Sequence, residues 1–196
     1  PRSTPLFSAA AADVYKRHGR YFEQALELSK YLENKESLAE TFRSLGVAYG
    51  YLDDHEKSIN YHKLALEIYE ELENDDMLSW GFLMTGWQYN QEKDYENAIL
   101  NFEKALEVTQ ELDGNNKDTK ASIHYNLAYS YTLKEDYTNA LKSYKISAER
   151  KEDLGDKNGL AYVWMDMGYH LYFNKMDLDS ALYFLSKSNE ILLGVG

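Results

Sequence analysis

A small residue recurs along this chain at a near-constant interval: Gly46, Gly86, Ala128 and Gly168 stand 40, 42 and 40 residues apart. Each keeps the same company. A ring lies four residues before it and a Tyr or Leu three residues after: Phe42 and Tyr49, Phe82 and Tyr89, His124 and Tyr131, Trp164 and Leu171. Steps of four and three are a helical period. A second row with the same rhythm surrounds the first: Phe22, Ala25, Ser29, Leu32, then His55, Ser58, His62, Ala65, then Tyr95, Ala98, Phe102, Ala105, then Tyr137, Ala140, Tyr144, Ser147. A fifth, Ala181, Leu185 and Ser188, falls into place with one extra residue in the turn at 174–179. The chain therefore reads as pairs of helices, here termed A and B, repeated along its length. Such pairs stack, each covering the face its neighbour leaves open.

The small residues have a steric purpose. Where helix A carries Gly or Ala, helix B can come close, its own Ala or Ser supplies the matching notch, and large rings fill the space on either side. Helices are predicted over about 4–17, 20–33, 36–52, 56–73, 76–92, 95–112, 117–134, 137–154, 157–173 and 178–193. Short polar turns at Leu52-Asp53-Asp54, Lys93-Asp94 and Lys134-Glu135-Asp136 separate them, and Gly114 and Gly155 are each followed by Asn or Asp able to start the next helix. Both prolines lie in the first five residues, so no predicted helix after the first turn is broken by one. The first pair is degenerate, its helix A reading SAAAADVYKRHG, whereas the last ends on the apolar Ile191-Leu192-Leu193. That finish is expected to pack against a partner, a second copy or further chain.

Composition excludes several roles. A net charge of −12 and a pI near 4.9 oppose binding to nucleic acid or to an anionic membrane surface. Cysteine is absent, which removes thiolate chemistry and zinc ribbons. No apolar run approaches the ~18 residues of a membrane span, and the expected location is cytoplasmic, with a signal or anchor outside this sequence left open. Residues 1–5, Pro-Arg-Ser-Thr-Pro, read as a linker or a processing remnant. Among five histidines no pair has the i, i+4 spacing with a carboxylate that a helical zinc site requires. His62 and His124 occupy rows where the other repeats carry aromatics, which assigns them to packing. No phosphate-binding loop, nucleophile elbow or dinucleotide fingerprint occurs. No cofactor, metal or catalytic residue is expected, and the chain is not expected to be an enzyme by itself.

The rows just described, and above all residues 80–112, resemble the tetratricopeptide repeat (TPR) family, in the style with a period near 40 residues that is found in bacterial signalling proteins. The resemblance implies an all-α solenoid of about five helix-turn-helix pairs in a right-handed superhelix, one array with units at about 4–34, 35–74, 75–114, 115–155 and 156–194. It also implies a concave groove lined by helix A residues beside the notch row: Arg43, Tyr51, Trp80, Trp87, Asn90, Tyr125, Asn126, Tyr129, Tyr162, Asp166, Tyr169 and Tyr172. Rings supply apolar area at little rotamer cost, and Asn90 and Asn126 could hold a peptide backbone. Some relatives grip a C-terminal carboxylate with several basic side chains. Here only Arg43 is basic and Asp166 has the opposite sign, so a neutral or cationic peptide is expected, with Glu40 and Asp166 as anchors. The implied role is a protein- or peptide-binding scaffold, the sensory or interaction region of a larger bacterial signalling protein. The alternatives are homodimerisation through the apolar last helix, or the regulatory region of an enzyme whose catalytic domain lies elsewhere.

Overall fold

The computed structural model describes Gln24, Leu26, Glu27 and residues 34–111, 117–174 and 177–194. Among the described residues there are eight long helices and no strand: α1 (Lys35–Tyr51), α2 (His55–Glu71), α3 (Asp75–Gln91), α4 (Tyr95–Glu111), α5 (Lys117–Leu133), α6 (Tyr137–Asp153), α7 (Lys157–Phe173) and α8 (Leu178–Leu192). Gln24, Leu26 and Glu27 are also helical; the rest of the helix pair expected before residue 34 lies outside the described residues. The other predicted helices match these bounds to within two residues.

Most predicted ends run one residue too far, and the turns explain why. Leu52, Leu72 and Leu154 continue the apolar pattern of their helices but are the caps, not the last helical residues. After the cap, one residue enters the left-handed region and the next folds back. The Asp53 N–H donates to the Gly50 carbonyl at 3.2 Å and the Asp54 N–H to the Tyr49 carbonyl at 3.0 Å, which satisfies carbonyls that a helix end leaves open. Asp54 then starts the next helix, its Oδ1 accepting from the Lys57 N–H at 3.3 Å. One residue thus closes one helix with its backbone and opens the next with its side chain. Asn74, Asp94, Asp136 and Asp156 repeat the arrangement. The residue before each has a positive φ, and only in the last turn is it a glycine: Asp53 58°, Glu73 52°, Lys93 62°, Glu135 62° and Gly155 69°.

The chain divides into two compact units, Pro1–Val108 and Thr109–Gly196. In the first, α2 packs between α1 and α3. The notches are filled as the spacing predicts. A Cβ on Gly46 would stand 2.6 Å from the His62 ring, and one on Gly86 would stand 2.7 Å from the Phe102 ring. Ser58 is fully buried, and its hydroxyl donates to the Gly46 carbonyl at 2.6 Å. In the second unit α5 packs on α6, α6 on α7 and α7 on α8. Ala128, Ala140 and Tyr144 meet in one core with Leu160, Val163 and Met167, and a Cβ on Gly168 would stand 2.7 Å from Leu185. Ser147, two turns further along its helix B than the position of Ser58, donates to the Ala121 carbonyl at 2.8 Å. Ser58 and Ser147 thus each bond across their own hairpin, as most buried polar groups do.

Candidate functional site

In the second unit packing consumes one side of the helices A, α5 and α7, and leaves a stripe on the other. On α7 the buried residues are Leu160, Ala161, Val163, Met167, Gly168, His170 and Leu171, which places Tyr162, Asp166 and Tyr169, at steps of four and three, on the opposite side. On α5 the same side carries Ser122, Tyr125, Asn126 and Tyr129. Tyr129, Tyr162, Tyr169 and Tyr172 are 40%, 53%, 46% and 52% exposed, far more than core rings such as Tyr144 at 2%. Beside the stripe lies a cleft of about 280 Å³ lined by Ser122, Tyr125, Asn126, Lys151, Gly159, Tyr162 and Val163. Three of the twelve predicted residues, Tyr125, Asn126 and Tyr162, therefore share one depression, and Asp166 adjoins it through Tyr125.

The Tyr125 hydroxyl donates to Asp166 Oδ2 at 2.5 Å, the length of a charge-assisted bond. Burial raises the Asp166 carboxyl above its usual range and the bond from Tyr125 pulls it back down; no lysine or arginine contributes. Burial and the same bond push the Tyr125 phenol well up, so it remains a donor. One donor of Asn126 is committed to its own helix, through a 2.8 Å bond from Nδ2 to the Ser122 carbonyl. Tyr172 and Tyr169 both pack against Phe173, with ring centroids 5.3 and 6.1 Å apart, and Phe173 is itself 72% exposed.

In the first unit Tyr51 and Trp87 are exposed, and the Arg43 guanidinium lies 4.9 Å from the centroid of the Trp80 ring. Arg43 is already paired: Nε donates to Glu40 Oε2 at 2.8 Å and a terminal nitrogen to Oε1. Its pKa is raised, first by the bond to Glu40. Glu40, expected as an anchor, therefore meets its cation within its own helix. Asn90 is 4% exposed and Leu83 is likewise buried, because both fall on the side of α3 that faces neighbouring helices.

His62 is buried and His124 partly buried, as their rows predicted. His62 is 1% exposed and meets Trp80 edge to face at 5.8 Å. Burial holds its pKa down at about 4, with the Arg43 charge adding to the effect. His124 is lowered to about 4 by burial and by Arg150. Among the described residues no three His, Asp or Glu side chains gather as a metal ion would require, and none of the helices is long and apolar enough to cross a membrane.

Two features of the site escaped the sequence reading. One is Lys151, a helix B residue that reaches the cleft while bound to Asp118 at 2.6 Å and to Asp156 at 2.9 Å. The other is the Tyr125–Asp166 bond. Its partners are 41 residues apart, one more than the 40 that separate Ala128 from Gly168 on the same two helices, so the repeat register comes within a residue of pairing them. That arithmetic could have found it.

The Tetratricopeptide repeat family matches this sequence over residues 11–71 and 88–153. No curated protein matches it in sequence. In three dimensions the chain is similar to BtubC (BKLC) from P. vanneervenii, at 21% identity over 90% of this chain and 73% of that one, with a TM-score of 0.77. It is similar to the apo form of RapI, at 21% identity over 91% of this chain and 49% of that one, with a TM-score of 0.82. A Rap protein complexed with Competence and Sporulation Factor is similar at 18% identity over 92% and 49%, with a TM-score of 0.75. The chain spans about half the length of the two Rap proteins. At such identities the likeness is one of fold.

Proposed function

Since the chain belongs to the tetratricopeptide repeat family, we propose that it is a non-catalytic scaffold that binds an extended peptide or a helix of a protein partner on the aromatic side of its helices A. The single observation that carries this is the stripe of Tyr129, Tyr162 and Tyr169, each 40% or more exposed, beside the cleft of the second unit. Rings that the core does not need are expensive to leave in water and are what interfaces use as anchors. Tyr51 and Trp87 present a comparable surface on the first unit. A Rap protein in complex with Competence and Sporulation Factor shares this fold, which supports a binding role and the further reading that the chain is the sensory or interaction region of a larger, cytoplasmic signalling protein. The test is isothermal titration with peptides selected from a random library on the immobilised chain. Trp87→Ala or Tyr129→Ala should weaken binding at least tenfold; affinities unchanged in both variants refute the assignment.

A second reading, homodimerisation, is favoured by α8. Leu182 is 65% exposed, although Ile59 and Ile99, which occupy the same repeat position, are 7% and 9% exposed. Leu178 and Leu193 extend the apolar surface. Sedimentation across a hundredfold range of concentration separates the two readings, because self-association needs no added peptide and would be abolished by Leu182→Glu.

A further inference from the structure

Asp166 is chemically out of place. It sits between Tyr162 and Tyr169 on the aromatic stripe of α7, is only partly exposed, and among the described residues no lysine or arginine acts on its carboxyl. A carboxylate withdrawn from water is unfavourable unless an opposite charge or several donors compensate it. Tyr125 supplies one donor at 2.5 Å, and a phenol carries no charge. Lys151, the cation that lines the adjoining cleft, is held by Asp118 and Asp156, so its charge is already answered.

The rings around this carboxylate select the same kind of ligand. The face of a tyrosine is electron-rich and attracts a cation within about 6 Å of its centroid. Tyr162 and Tyr169 flank Asp166 one helical turn to either side, and Tyr129 follows Tyr125 by one turn on α5. An anion would be repelled by the carboxylate, and a neutral group would leave it uncompensated. A lysine or arginine side chain gains from both features, its stem lying along the rings and its charge meeting the carboxylate. The net charge of −12 steers such a partner toward the protein.

We propose that Asp166, framed by Tyr125, Tyr129, Tyr162 and Tyr169, is a receptacle for the side-chain cation of a lysine or arginine on the bound partner. This rests on the aromatic-stripe reading of the preceding subsection and gives it a charge requirement.

The test uses peptides selected from a random dodecapeptide phage library on the immobilised chain, titrated against wild type, Asp166→Asn and Tyr162→Ala. Asp166→Asn keeps the shape and still accepts from Tyr125, and Tyr162 is an exposed ring, so neither variant should melt below wild type. The expected result is that selected peptides share a basic residue. Replacing it by citrulline or acetyl-lysine, or using Asp166→Asn, should lower affinity about tenfold or more, and the two changes together should add little. Peptides that need Tyr162 but tolerate both the neutral residue and Asp166→Asn would overturn the receptacle and leave the stripe standing. If no peptide is selected, or none depends on Tyr162 or Tyr129, stripe and receptacle fall together.

Discussion

Gly86 offers a test of the packing in which two known effects oppose each other. In the middle of a helix, alanine is favoured over glycine by about 1 kcal/mol, so Gly86→Ala would stabilise α3 if the site were open. It is not open. The added Cβ would lie 2.7, 2.9 and 2.9 Å from three atoms of the Phe102 ring, and Phe102 is 0% exposed, so the ring has nowhere to go. Overpacking a filled core costs ~1 to 3 kcal/mol. The net expectation is a loss of about 1 kcal/mol. Phe102→Leu alone should also destabilise, by roughly 1 to 2 kcal/mol of lost packing. In the double variant the shorter side chain leaves room for the Cβ, and the two losses should fall short of additivity by about 1 kcal/mol. Urea unfolding followed by circular dichroism, on all four proteins, measures this. A Gly86→Ala protein as stable as wild type or more so, or strict additivity in the cycle, would refute the notch argument.

The buried His62 predicts a pH dependence of known sign. Its folded pKa lies near 4 against the ordinary histidine value of 6.5, so between those values the unfolded chain takes up a proton that the folded one refuses, and stability falls as pH drops through the window. His62→Phe, which copies Phe102 of the next hairpin, removes this term; relative to wild type it should gain about 2 kcal/mol between pH 7 and pH 5, and an unchanged difference in urea unfolding at the two pH values contradicts it. Glu135 holds a φ of 62° in an exposed turn, so Glu135→Gly should raise stability by ~0.5 to 1 kcal/mol. A lower midpoint in the same assay would show that the turn does not carry that strain.

The hairpins were legible because one steric rule, a notch opposite a large side chain, is written four times in Gly46/His62, Gly86/Phe102, Ala128/Tyr144 and Gly168/Leu185, and each copy corroborates the rest. Helix starts were legible for the same reason, since Asp54, Asp94, Asp136 and Asp156 each accept from the backbone N–H three residues on. The site was legible only in part. Helical periodicity separates the two sides of α7 and so finds Tyr162, Asp166 and Tyr169. It does not tell a side that meets solvent from one that meets the next helix, which is why Asn90, on the side expected to line the groove, is buried. Nor does periodicity predict which charges satisfy each other: Glu40 closes on Arg43 three residues away and Lys151 on Asp118 from another helix. These pairings depend on side-chain reach across a surface, which a one-dimensional pattern does not contain.

The central claim is that tyrosines spared by the packing of the hairpins form the surface on which a partner lies. It is tested most directly by NMR of the tyrosine rings during titration with a library-selected peptide. The account predicts that resonances of Tyr125, Tyr129, Tyr162 and Tyr169 shift together with one affinity while that of the core Tyr144 stays in place. A footprint confined to the exposed face of α8 around Leu182 and Tyr183, with those four rings unmoved, would contradict it.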